Sequence, residues 1–184
     1  MTTWTFESGH TAAEFKVKHM MVTWIRGSFK DVHGTIKGDF DDPSNISVEA
    51  EIDASTVWSG HSIRDEHLKG EGFFDVKNHP KITFKSTKVE KVDENNFKVT
   101  GDLTIRGVTK KVILDAEYLG NWETPFWEDG VDKGPKTRVG FVATTKINRH
   151  DFGVSWQSPM DNGGIVVGDD VFIILDVEAI RDIS

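Results

Sequence analysis

The chain has 184 residues, 37% hydrophobic and 28% charged, a net charge of −8 and no cysteine. That length suits one domain with a substantial core, and the composition excludes disorder, disulfides, thiol catalysis and thiolate metal sites. The acidity argues against nucleic acid and against strong attraction to anionic membranes, because both rest on basic surface.

Taken along the chain, the dominant signal is alternation of apolar and polar residues with period two, the signature of half-buried strands. Residues 3–6 are strand-like and follow Met1 with no basic or apolar leader, so a cytoplasmic protein is expected. Residues 11–20 place Ala13, Phe15, Val17 and His19 on one face, with Glu14, Lys16 and Lys18 on the other. Strands over 23–29 and 34–40 follow, then a turn at Asp42-Pro43-Ser44-Asn45 and clean alternation over 46–53.

There the pattern breaks. Residues 58–80 read as one short helix around 61–69 followed by an aromatic pair, Phe73-Phe74. In an all-β chain such a segment plugs or lips whatever the sheet encloses. Strands resume over 81–92, 97–105 and 111–118, joined by short turns. A long loop is expected over 119–136, carrying Trp122, Phe126 and Trp127, which cover a cavity, contact a partner or, by default, pack on the barrel exterior. Final strands are expected over 138–148 and 170–180. Loops of that length in compact domains are more often functional than idle.

About eight strands joined by short turns pair antiparallel, and a sheet of that size curls until closure removes its edges. The expectation is all-β, with a single domain over 1–184. Its architecture is an extended lipocalin-like antiparallel barrel able to hold one small ligand. A two-sheet sandwich is the alternative. Twelve Phe and six Trp against one Tyr suit an apolar interior.

On a helical wheel Ile63, Arg64, His67 and Leu68 share one side, expected to look toward the barrel, while Asp65, Glu66 and Lys69 take the other. Arg64 and His67 then have two readings. They hydrogen-bond the polar head of a ligand, or they satisfy loop carbonyls or a carboxylate while the helix caps the barrel. The seven histidines show no metal-ligand spacing, so no metal is expected. Gly153-Val154-Ser155-Trp156-Gln157 begins like a nucleophile elbow but lacks its final glycine and its strand-to-helix setting. No phosphate loop or other cofactor motif is present.

Several stretches together resemble the YceI-like polyisoprenoid-binding family: the opening WTFESGHTAAEFKVKHMMVTWIRGSF, then SIRDEHLKGEGFFDVKNHPKITFKS, VTGDLTIRGVTKKVIL, GFVATTKINRHDFG and VGDDVFIIL. They cover nearly the whole chain in the family's order. The resemblance implies a lipocalin-type barrel enclosing a long isoprenoid, such as a polyprenyl diphosphate or a quinone tail. Many members are homodimers, and a homodimer is expected here. Many relatives carry a secretion signal, and none is expected here. The expected wall of the tail site is Phe15, Val17, Phe29, Ile52, Phe84, Leu103 and Phe141, with Phe73 and Phe74 near the closing segment.

Magnitudes constrain the role. At about 0.8 kcal/mol per methylene, a forty-carbon chain taken from water would nominally gain ~30 kcal/mol. That exceeds the ceiling of roughly 18–21 kcal/mol for non-covalent binding. A tail drawn from a bilayer is already dry, so reversible, non-enzymatic carriage or sequestration is the expected function. A hydrolase acting on a small hydrophobic amide or ester is the alternative, with His67, Asp65 and Ser155 as the residues it could recruit.

Overall fold

In the computed structural model, which describes residues 2–182, period-two alternation becomes ten strands and one helix. The strands are β1 (Thr3–Phe6), β2 (Ala12–His19), β3 (Thr23–Phe29), β4 (Val32–Asp39) and β5 (Asp42–Asp53). After the helix α1 (Ser62–Lys69) come β6 (Lys81–Lys91), β7 (Asn96–Ile105), β8 (Val108–Glu128), β9 (Val131–Asn148) and β10 (Val167–Asp182). Every pairing is antiparallel. The order β1-β4-β5-β6-β7-β8-β9-β10 returns from β10 to β1, where Thr5 opposes Ile180, and so closes an eight-stranded barrel. A closed barrel has no open sheet edge around its ring, which settles the choice against a sandwich.

The two additional strands form the β2–β3 hairpin. β2 runs along β10 on the same edge as β1, with Val17 opposite Val171, and a short 3-10 turn at Ser8–His10 separates the two. Past Gly27 the free edge of β3 makes a single bridge, Ser28 with Trp58, through mutual backbone bonds of 2.8 Å. Trp58, at the start of the segment 58–80 between β5 and β6, thus ties that segment to the hairpin edge.

Inward positions follow the alternation. Val171, Ile173, Leu175 and Val177 on β10 face Ile147, Thr145, Ala143 and Phe141 on β9 across the ladder. One end of the barrel carries α1, the β2–β3 tip, the Arg106-Gly107 turn and residues 149–166. The opposite end carries the β4–β5, β6–β7 and β8–β9 turns.

Two sequence expectations are corrected. Residues 119–136 are not a loop: β8 and β9 continue as a two-stranded ribbon whose turn is Asp129-Gly130, with φ of 51° and 77°. Pro125 faces Pro135 across it. Register shifts between Tyr118 and Gly120, and again between Pro125 and Trp127, accommodate Gly120 and Pro125 within the ribbon. Trp122 and Trp127 do not pack on the barrel but stand exposed.

The helix lies where expected but is turned. Ile63 is 76% exposed and Asp65 is 8% exposed, the reverse of the wheel assignment. Asp65 is drawn inward because its carboxylate accepts from the Ser59 backbone N–H at 2.7 Å and from the Ser59 hydroxyl at 2.5 Å. At eight residues, α1 has too short an apolar stripe for hydrophobicity to set its rotation against those bonds.

Candidate functional site: an apolar cavity

The barrel encloses a cavity of about 250 Å³ whose accessible surface is carbon almost throughout. Phe15, Val17, Phe29, Ile52, Phe73, Phe74, Phe84, Leu103 and Phe141, the side chains expected from the sequence, all stand in its wall. Arg64 and His67 do not border it. Arg64 donates through Nε to the Ser59 hydroxyl at 2.7 Å and through Nη2 to the Ser59 carbonyl at 2.8 Å. Ser59 thus receives Arg64 and binds Asp65, a loop-fastening arrangement. His67 stands edge-on to Phe73 and to Trp156, each at 5.1 Å between centroids.

The α1 end is sealed by this segment and the stretch after β9. Leu68, Phe73 and Phe74 face the cavity, and Phe74 meets Phe29 and Phe15 edge-on at 5.4 and 6.4 Å. A hydrogen-bonded turn presents the pair: Phe74 N–H donates to the Leu68 carbonyl, and both Phe73 and Asp75 N–H donate to that of Gly70. Asp75 takes a φ of 49° there, and its buried carboxylate accepts from Asn78 Nδ2.

Two arginines tie the pieces together. Arg106 donates to the carbonyls of Phe73 and Gly153, and buried Arg149 donates to those of Val154, Trp156, Val167 and Gly168. Burial pulls the Arg149 guanidinium below its ordinary pKa, against the opposing charge of Asp169. With its donors committed to backbone oxygens, Arg149 closes the barrel without presenting an open charge to the cavity. At the other end Phe40 packs on Phe141, Tyr118 and Trp4 at 5.4, 6.1 and 5.5 Å, and Arg181 stands over Trp4 at 4.6 Å.

Sequence reasoning missed how the room is made. A Cβ on Gly27 would lie 2.4 Å from Cζ of Phe15; on Gly101, 2.4 Å from Cζ of Phe84; on Gly34, 2.5 Å from Cε2 of Phe6. Each ring lies down over bare backbone instead of standing into the lumen. Glycine within a strand is the available signal of such close approach, but the pairing needs the register.

Outside the cavity, Ser155, His150 and Asp169 come together. Ser155 Oγ lies 3.2 Å from His150 Nδ1, and His150 Nε2 lies 2.9 Å from Asp169 Oδ1. All three are exposed and none borders the cavity, so they cannot act on a ligand inside it. Asp65 and His67 are engaged elsewhere. On the barrel's outer face, Glu7, His10 and Glu178 bring potential ligand atoms within 4.8 Å of one another. The Arg138 guanidinium already bonds both carboxylates, which makes this an ion-pair network.

A closed antiparallel barrel around a carbon-lined cavity defines a hydrophobic-ligand-binding barrel. The chain belongs to the YceI-like family, whose domain model matches residues 4–179. It is 36% identical over 171 residues to the UPF0312 protein SA2479 of Staphylococcus aureus, covering 93% of each chain. The Campylobacter jejuni YceI protein superposes with a TM-score of 0.73 at 32% identity, covering 90% of each chain. A polyisoprenoid-binding domain from Saccharophagus degradans shares the fold, with a TM-score of 0.65 at 13% identity over 96% of this chain and 97% of that one. No helix among the described residues is long and apolar enough to cross a membrane.

Proposed function

We propose that this protein binds and carries a long apolar molecule, an isoprenoid or the tail of a prenyl quinone, without transforming it. The carbon-lined cavity carries this reading, and the polyisoprenoid-binding description of the S. degradans relative supports its ligand class. The tail contacts are the nine expected wall residues. Phe84, Leu103 and Phe141 lie along the barrel, with Phe73 and Phe74 at the α1 end.

Volume refines the ligand. A cavity of about 150 Å³ admits benzene and drug-sized pockets span roughly 300–1,000 Å³, so 250 Å³ accepts a short isoprenoid or one segment of a longer tail. A full-length polyprenyl chain requires the Phe74 contact with the β2–β3 hairpin to open. Reversible carriage is consistent with a wall that offers dispersion and dryness but no strong polar anchor.

Native mass spectrometry of the purified protein, with organic extraction, tests the reading. A bound isoprenoid, or stoichiometric uptake of added prenols or prenyl quinones, is expected. Protein that carries no lipid and takes up none would exclude it.

A further inference from the structure

The β2–β3 hairpin combines three features that the barrel does not require. Its tip is a type I′ turn: Val22 N–H donates to the His19 carbonyl at 3.1 Å, and the central residues Met20 and Met21 have φ of 47° and 61°. Such turns favour Asn-Gly, because side chains larger than glycine's are strained at positive φ. Here the strained positions hold two methionines, and these are exposed: Met20 42%, Met21 61%, with Val22 beside them at 82%. Strain at Met20 and Met21 coincides with exposed apolar surface that continues onto Val22, a combination that folding alone gives no reason to keep.

The hairpin behind the tip is itself basic, and the two carboxylates in the surface hollow shared with Lys18, Met21 and Trp24, Asp169 and Asp170, are engaged by His150 and Lys146. Residues 15–30 hold Lys16, Lys18, Arg26 and Lys30 and no carboxylate, in a chain of net charge −8. None of these four has an ion-pair partner among the described residues, whereas Lys69, Lys81, Lys85, Lys88, Lys111, Lys133 and Lys146 all do. Lys16 and Lys18 instead lie over the Trp24 ring at 5.0 and 4.4 Å, and Lys30 lies over Trp58 at 5.0 Å. Apolar residues at the tip, with Trp24 and the unpaired Lys18 and Lys16 two to four residues behind it, match the layering of a bilayer surface: acyl boundary, interface, anionic headgroups. Lys30 and Trp58 lie at the far end of the hairpin.

We propose that the β2–β3 hairpin is a membrane-docking element, seating Met20, Met21 and Val22 in the surface of an anionic bilayer. It rests on the carrier reading for its purpose. Val17 and Val167, beside the tip, border the cavity, and Met20 N–H donates to the Val166 carbonyl at 2.7 Å. Docking sets the α1 end of the barrel against the source of its cargo. The ribbon at the opposite end exposes Trp122 and Trp127, but Glu123, Glu128, Asp129 and Asp132 accompany them, a charge pattern that an anionic surface repels.

Flotation with phosphatidylcholine vesicles, with and without phosphatidylglycerol, tests this. The wild type is expected to float with the anionic vesicles and to be released by salt. Met20→Asn/Met21→Gly, which supplies the residues this turn favours, is expected to fold and to lose about tenfold or more of the binding. Trp127→Ala is expected to float like the wild type. Prenol uptake in the absence of vesicles should be unchanged in the double variant, so failure of uptake in the wild type would sink the carrier reading separately. The docking proposal is overturned if the wild type ignores anionic vesicles or if the double variant floats as well as the wild type. It is equally overturned if the double variant's only effect is to dissolve a dimer.

Discussion

Phe74 stands edge-on to Phe29, their ring centroids 5.4 Å apart and their planes at 76°. Together with the Phe74–Phe15 contact and the Ser28–Trp58 bridge, this contact joins the α1 segment to the β2–β3 hairpin, and both rings face the cavity. Phe74→Ala should therefore loosen the seal. Large-to-small changes at buried aromatics cost about 3–5 kcal/mol, and half-buried Phe74 should cost about 2. Thermal unfolding should show that loss. Release of a bound prenol should accelerate by about tenfold, since the barrier to leaving includes this contact. An unchanged release rate with a lowered melting temperature would move the exit elsewhere.

Gly27 separates cavity shape from stability. The only atoms a Cβ there would meet too closely belong to the Phe15 ring, which can swing away, whereas the same change at Gly101 or Gly34 also strikes backbone oxygens at 2.7 and 2.6 Å. Gly27→Ala should cost about 1 kcal/mol, at the low end for overpacking, and push Phe15 into the lumen. Prenol affinity measured by titration should fall more than stability does. Gly101→Ala should do the opposite.

Ser59 is the small hub of the closing segment, receiving Arg64 Nε and binding the Asp65 carboxylate. Ser59→Ala leaves a buried carboxylate with one bond fewer and should destabilise by about 1–3 kcal/mol. Arg64→Gln should likewise lower the melting temperature while leaving the relative affinity for a prenol and a prenyl phosphate unchanged. A change in that ratio would restore Arg64 to a head-group role.

The outer-face network gives a pH signature. Hydrogen bonding to Glu178, then its charge and that of Glu7, raise the His10 pKa above its ordinary 6.5. Its contribution is complete below that value and is lost as pH rises through the folded pKa. For Glu7, burial acts upward but is outweighed by hydrogen bonds with Arg138 and Glu178 and by the charges of Arg138 and His10, so its pKa falls below 4.5. Its contribution is complete above 4.5 and is lost as pH drops through the folded value. The network is strongest between those limits. His10→Gln should flatten the decline in melting temperature on the alkaline side and leave the acid limb in place. His10 is exposed, so the difference should be small.

Much of the wall was legible because alternation carries it. Phe15, Val17, Phe84, Leu103 and Phe141 are read directly from period two, and the Phe73-Phe74 pair from its isolation. The rotation of α1 was not legible, because it depends on Ser59, three residues outside the helix, and on bonds no wheel contains. The ribbon over 119–136 was hidden because Gly120, Pro125, Gly134 and Pro135 suit strands poorly, and only register shifts and the facing of the two prolines accommodate them. The glycine–phenylalanine pairs lie on different strands, so no local pattern announces them.

The central claim is that ligand occupies the barrel interior, and filling that interior tests it most directly. Ala143 is buried on β9 with its side chain in the cavity wall, so Ala143→Phe occupies the lumen at a cost of about 1–3 kcal/mol. Native mass spectrometry after incubation with a prenol should show a one-to-one adduct on the wild type and none on Ala143→Phe, with cooperative thermal unfolding retained in both. Equal adducts on the two proteins, or none on either, would contradict the account.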